Sequence, residues 1–212
     1  MTLAPLPHER FARFHQAFRG DSPDIFQACR VCGGKCEYAK ISTLLPGEAE
    51  YMAAQQGLDS AAFRDRYLDG VEIDGVVLDV LKLVDPCPFL SAAFTCQCRS
   101  FKPVFCEIYP IVFSLEGQRP AIEIDDWCLL ARDPRYKPYF RDVGVPAVEA
   151  LGIPLEWLRR VIPYDELYFD YLKLQATRER LGVPAGRYWV ISCEALLAHT
   201  QEASAVRAVL DR

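Results

Sequence analysis

The chain has 212 residues, 51% hydrophobic and 25% charged, with a net charge of −5 at pH 7. That balance belongs to a folded globule and excludes a disordered chain. The acidic charge, with no block of Lys or Arg, argues against a nucleic-acid surface, which needs clustered cations. No apolar run approaches the ~20 residues of a membrane span. The opening residues carry no cationic stretch leading into an apolar one, so a cytoplasmic protein is expected.

In chain order, residues 7–19 predict a helix with Phe11, Phe14 and Phe18 on one face and Glu9, Arg10, Arg13 and Arg19 on the other. His15 lies on or beside the aromatic stripe. A partly buried, hydrogen-bonded histidine is the expectation there, ahead of a metal ligand. Gly20, Asp21, Ser22 and Pro23 break the helix. Residues 41–45 read as extended. Pro46-Gly47-Glu48 opens a helix ending near Gly57, and Asp59-Ser60 caps another running to Tyr67 and closed by Gly70. Val71 to Leu78 reads as a hairpin turning on Asp74-Gly75, with its second strand reaching Leu83 before Asp85-Pro86. A second hairpin is expected over residues 111–115 and 121–124, with Glu116 and Gly117 near its turn. Helices are expected over 154–161 and 164–181, the latter with Leu167, Tyr171, Leu174 and Leu181 on one face and ended by Gly182 and Pro184. A short extended piece over 188–191 precedes Cys193 and a last helix through Val209. The expected fold class is α+β: one cysteine-rich domain with short β-hairpins and a helical C-terminal layer. Its cysteine-cluster region spans 1–136 and its helical layer 137–212.

The chemistry is concentrated in nine cysteines. An odd count and no secretory leader argue against a disulfide framework and for metal or catalysis in a reducing compartment. Cys29-Arg-Val-Cys32-Gly-Gly-Lys-Cys36 packs three thiols into one turn-forming stretch. Cys87, Cys96, Cys98 and Cys106 follow among Pro86, Pro88, Pro103 and Pro110, and Cys128 stands beyond the second hairpin. Cys29, Cys32, Cys36, Cys87, Cys96, Cys98, Cys106 and Cys128 thus form a set of eight soft ligands, suited to zinc or iron–sulfur chemistry. Eight thiolates divide into two four-ligand sites, or into one cluster with spare redox-active thiols. Cys193, in an apolar stretch, is expected to be structural. Asp85, Asp125 and Asp126 are candidate acid–base groups or outer acceptors, with solvated or capping roles the expectation. Arg99 and Lys102 are candidate cations for an anionic substrate or for tempering thiolate charge, and equally ordinary surface residues. Phe89, Phe94, Phe101, Phe105 and Tyr109 are placed to shield a cluster or to serve as core.

CxxCxxxC, then Pro86-Cys87-Pro88-Phe89-Leu90, then C-x6-P-x2-C-x3-P from Cys96 to Pro110, resembles the YkgJ-type CxxCxxCC cysteine-cluster family, a group associated with zinc or iron chelation. The resemblance covers Cys29 to Cys128 and implies a metal site rather than a reaction. Two motifs depart from that family's pattern. Glu37 stands where it has a second adjacent cysteine. Lys102-Pro103 and Cys106-Glu107 stand where it has Arg-Pro and Cys-Arg, which removes bidentate donors. Cys98 occupies a position that is apolar in the family, and is expected to replace the missing neighbour of Cys36. Flagellin lysine N-methyltransferases are similar to this grouping, but no Gly-rich nucleotide loop is present here.

The leading expectation is one or two iron–sulfur clusters, [4Fe–4S] in type, serving electron transfer or an accessory redox role, because eight thiolates exceed what bracing a fold of this size requires. The alternative is a non-enzymatic Zn2+-stabilised interaction module. A methyltransferase-like or maturation enzyme is the third class. A protein partner is expected at the C-terminal helices, with neither nucleic acid nor membrane.

Overall fold

The computed structural model describes residues 3–20, 42–82, 87–89, 91, 96–116, 119–125, 128–168 and 189–191. Expectations for Cys29, Cys32, Cys36, Asp85, Phe94, Asp126, Cys193, the helix continuing to Leu181 and the last helix lie outside these residues.

Helix α1 (His8–Gly20) forms where the aromatic stripe predicts it. Phe11, Phe14 and Phe18 are all buried, and His15 is buried beside them. Arg10 reaches across to donate to the Leu151 carbonyl at 2.9 Å, and the Tyr139 hydroxyl donates to the Phe18 carbonyl. Both bonds tie α1 to the helical region that follows the second hairpin.

Helix α2 (Glu48–Gln55) is preceded by Gly47 at φ +87°. A side chain at Gly47 would meet the Leu6 carbonyl oxygen at 2.7 Å, so only glycine allows the two segments to pass this closely. Helix α3 (Ser60–Tyr67) starts on Asp59, whose carboxylate accepts the Ala62 N–H at 2.8 Å. Strand β1 (Leu68–Ile73) follows with no intervening loop and pairs antiparallel with β2 (Val76–Leu81). Asp74 (φ 47°) and Gly75 (φ 75°) supply the two positive-φ turn residues. Gly70 therefore does not close a helix: it is a strand residue, opposite Asp79. Arg64 of α3 binds Asp79 of β2 at 3.0 Å and Glu50 of α2 at 2.6 Å, joining the three elements.

The sheet is larger than a hairpin. Strand β5 (Trp189–Ile191) lies parallel to β1, giving the order β2–β1–β5 with Val71 opposite Trp189. On the other edge Thr43 bridges to Val80.

Beyond the sheet come a 3-10 turn (Arg99–Phe101), the one-turn helix α4 (Val104–Glu107), and the hairpin β3 (Ile111–Glu116) and β4 (Arg119–Ile124). Three short helices absent from the sequence expectation follow: α5 (Leu129–Arg132), α6 (Lys137–Tyr139) and α7 (Val145–Ala150). A π-helical turn (Phe140–Gly144) joins the last two. Helix α8 (Leu155–Tyr168) runs straight through Pro163, where two separate helices were expected. Proline removes one helical N–H and costs about 3 kcal/mol in a helix interior. Here the burial of Trp157, Val161, Ile162 and Tyr164 on one face outweighs it. Helix α8 packs against β3 and β4. The fold is α+β, with short hairpins and helices toward the C-terminus. Among the described residues no helix is long and apolar enough to cross a membrane.

Candidate metal centre

Five of the eight candidate ligands are described, and no disulfide links any two of them. Local backbone bonds set their positions. The Gln97 N–H donates to the Phe89 carbonyl at 2.8 Å, holding the Cys87–Phe89 segment against the Cys96–Cys98 segment. The Phe101 N–H donates to the Cys98 carbonyl at 3.0 Å, which makes Cys98 the N-cap residue of the 3-10 turn. Pro103 starts the next turn, and its carbonyl accepts the Cys106 and Glu107 N–H groups, each at 2.9 Å. Cys128 is the N-cap residue of α5, its carbonyl accepting from Ala131 at 3.0 Å.

The sulfurs of Cys96 and Cys98 are 3.5 Å apart. Cys98 is buried while Cys96, Cys87, Cys106 and Cys128 are partly exposed. The contact with Cys96 pushes the Cys98 thiol well above the ordinary thiol range. Burial adds to this, as does the charge of Cys96, Cys106 and Cys87. Cys87, Cys96 and Cys106 are therefore all within electrostatic reach of Cys98. Two sulfurs bonded at ~2.3 Å to one tetrahedral ion stand about 3.8 Å apart. The Cys96–Cys98 spacing and the all-thiol donor set fit a soft metal on that measure. Among the described residues, however, no three His, Cys, Asp or Glu side chains close on one point as a metal-ligand set.

The helix carrying Cys106 is fixed from two sides by buried carboxylates that sequence reasoning did not single out. Glu48 accepts the Leu45 N–H at 2.7 Å and the Val104 N–H at 2.6 Å, so the first residue of α2 caps the start of α4. Glu48 is fully buried. Desolvation raises its pKa to about 7, against the lowering effect of those two N–H donors. At the other end of α4, Glu107 accepts two bonds from the Arg19 guanidinium, at 2.9 and 3.2 Å. The Glu107 side chain is 1% exposed, so this is a buried, forked ion pair. The sequence signal for Glu48 was its place after Pro46-Gly47 at a helix start. Nothing local announced its distant partner Val104.

His15 lies behind this clamp. Its Nδ1 is 3.5 Å from Arg19 Nη2, and its ring stacks on Tyr51 at 5.8 Å. Burial first, and Arg19 second, lower its pKa to about 4. His15 is thus more deeply buried than the partly buried histidine expected, with Nδ1 in contact with Arg19 and Nε2 without a hydrogen-bond partner among the described residues. Asp125 accepts the Tyr109 hydroxyl at 3.1 Å, its N–H donates to the Pro110 carbonyl at 2.8 Å, and its carbonyl accepts the Cys128 N–H at 3.2 Å. It acts as a brace at the base of the β3–β4 hairpin. Phe89 is buried against Phe63 and Tyr67, and Phe105 packs on Phe113 and Trp157. These two aromatics belong to the core that backs the cysteine segments. Arg99 is exposed and Lys102 half-buried.

The chain matches no protein-family model, no curated protein and no solved structure.

Proposed function

We propose that the chain is a metal-binding protein of the YkgJ type whose cysteines hold an iron–sulfur centre for electron transfer or an accessory redox role. The single observation that carries this reading is the contact of the Cys96 and Cys98 sulfurs, 3.5 Å apart, in an all-thiol stretch. Without a cation Cys98 stays a neutral thiol, since its contact with Cys96 and its burial oppose ionisation. A soft metal reverses that balance, because thiolate is its ligand. Cys29, Cys32, Cys36, Cys87, Cys96, Cys98, Cys106 and Cys128 are the ligands in this reading. When bound, an iron–sulfur cluster supplies one-electron chemistry. The chain's own residues supply a fixed platform: Glu48 and Arg19 hold α4, and Phe89 is buried beside the cysteine segments. The reading includes a reducing, cytoplasmic setting and an electron-exchanging protein partner at the C-terminal helices.

The Cys96–Cys98 spacing also favours a second reading, a structural zinc site. Two sulfurs this close suit two ligands on one ion, whereas a four-iron cluster has an iron for each of its four thiolates. Metal and acid-labile sulfide analysis of anaerobically purified protein, with a visible spectrum, separates the two. Iron with equivalent sulfide, and a brown colour that bleaches with dithionite, is the expected result. Colourless protein with stoichiometric zinc overturns the cluster in favour of zinc, and metal-free protein overturns both.

A further inference from the structure

We propose that Cys96 and Cys98 are a peroxide-responsive thiol pair that closes an internal disulfide, making this turn a reversible oxidation site. The pair is defined by its sulfur separation of 3.5 Å across a single intervening residue, Gln97. The Gln97 N–H is engaged by the Phe89 carbonyl at 2.8 Å, and the Cys98 carbonyl by the Phe101 N–H at 3.0 Å. The backbone between the two cysteines and after them is therefore held, and an S–S bond of ~2.05 Å forms from sulfurs that are already in contact.

The two sulfurs differ in access, and that difference assigns their roles. Cys96 is partly exposed, while Cys98 is 2% exposed. A peroxide reaches the Cys96 sulfur first. The Cys96 thiolate attacks one peroxide oxygen, the O–O bond breaks, and Cys96 becomes a sulfenic acid as hydroxide leaves. The Cys98 sulfur then attacks the Cys96 sulfur. The S–O bond breaks, the Cys98 proton leaves with the departing hydroxyl as water, and the disulfide forms. Overall two thiols and one hydrogen peroxide give one disulfide and two waters. Burial of Cys98 shields it from peroxide while leaving it in contact with its partner, so Cys98 is the resolving thiol. A disulfide across one intervening residue closes a small ring. Strained bonds of this kind have oxidising potentials and are readily reduced, as suits a reversible modification.

This proposal does not rest on the metal reading, and the two fail separately. Full-length protein, both as purified and after chelation, is treated with equimolar hydrogen peroxide, blocked with N-ethylmaleimide and digested with trypsin. Lys82 and Arg99 bound a peptide that contains Cys87, Cys96 and Cys98 and no other cysteine. The expected product carries one maleimide, on Cys87, and is lighter by two hydrogens, with fragmentation placing the bond between Cys96 and Cys98. Dithiothreitol restores both thiols. Three maleimides in both samples, a cross-link from Cys96 or Cys98 to another peptide, or sulfinic acid in place of the disulfide overturns the proposal. In Cys98→Ser, dimedone is expected to label Cys96, and a sulfenic acid trapped elsewhere instead overturns the assignment of roles. Metal-free protein that forms the disulfide leaves the pair standing and removes the metal reading.

Discussion

The carboxylate of Glu48 accepts the backbone N–H of Val104 at 2.6 Å, joining two helix starts 56 residues apart in sequence. A second oxygen of the same carboxylate takes the Leu45 N–H. Replacing Glu48 with alanine leaves two buried N–H groups without acceptors, which costs about 2–4 kcal/mol. Urea unfolding of Glu48→Ala is expected to show that loss. A midpoint within error of the native protein excludes the clamp.

Glu48 and His15 give the protein two opposed pH dependences. The pKa of Glu48 rises from 4.5 to about 7 on folding, so the native state binds the proton more tightly. Its contribution is present below pH 4.5 and is lost as pH rises through about 7. The pKa of His15 falls from 6.5 to about 4, so its contribution is present above pH 6.5 and is lost as pH falls toward 4. Each shift is worth about 3 kcal/mol at full extent. Glu48→Gln is expected to leave stability rising from pH 4 to 6.5, and His15→Phe to leave it falling from pH 4.5 to 7. Unfolding curves across that range check both signs, and two parallel profiles refute the assignment.

Arg19 neutralises a Glu107 side chain that is 1% exposed. Arg19→Ala strands that charge and is expected to cost about 3–5 kcal/mol. Arg19→Lys recovers only part, because an ammonium cannot make the two-pronged contact. A double-mutant cycle with Glu107→Gln measures the coupling.

Two glycines of similar conformation provide an internal control. Gly47 (φ +87°) has the Leu6 carbonyl 2.7 Å from where a Cβ would sit, and Gly57 (φ +66°) has open space. Gly57→Ala carries the positive-φ strain alone, about 1 kcal/mol. Gly47→Ala adds a backbone clash and is expected to cost about 2–3 kcal/mol. Equal melting shifts for the two would show that the Leu6 approach is not tight.

If Cys98 is a metal ligand, Cys98→Ser loses metal relative to the native protein, because serine offers a hard, weakly bound oxygen. Full metal retention, measured by elemental analysis of folded protein, removes Cys98 from the ligand set.

Much of the local architecture was legible in the sequence because its causes are local. The stripe of Phe11, Phe14 and Phe18, the Asp59 cap and the Asp74-Gly75 turn each act within a few residues. The misreadings came from reading punctuation without tertiary context. Gly70 looked like a helix stop, yet it sits in β1 opposite Asp79. One helix was expected to stop at residue 161 and another to start at 164, yet the buried face of α8 carries a single helix through Pro163. The contact of Cys96 with Cys98 follows from their spacing along the chain. The clamp on α4 was invisible, because Glu48, Arg19, Val104 and Glu107 become neighbours only when distant segments meet.

The parallel pairing of Val71 with Trp189 has a consequence for synthesis. β1 is the central strand of its sheet, and one of its neighbours leaves the ribosome only after about 120 more residues have been made. Throughout that interval the nascent chain presents one row of unpaired β1 backbone groups. Such an open edge is a template for joining another chain. A ribosome-stalled or truncated form ending before Trp189 is thus the species most exposed to self-association and to capture by holding chaperones.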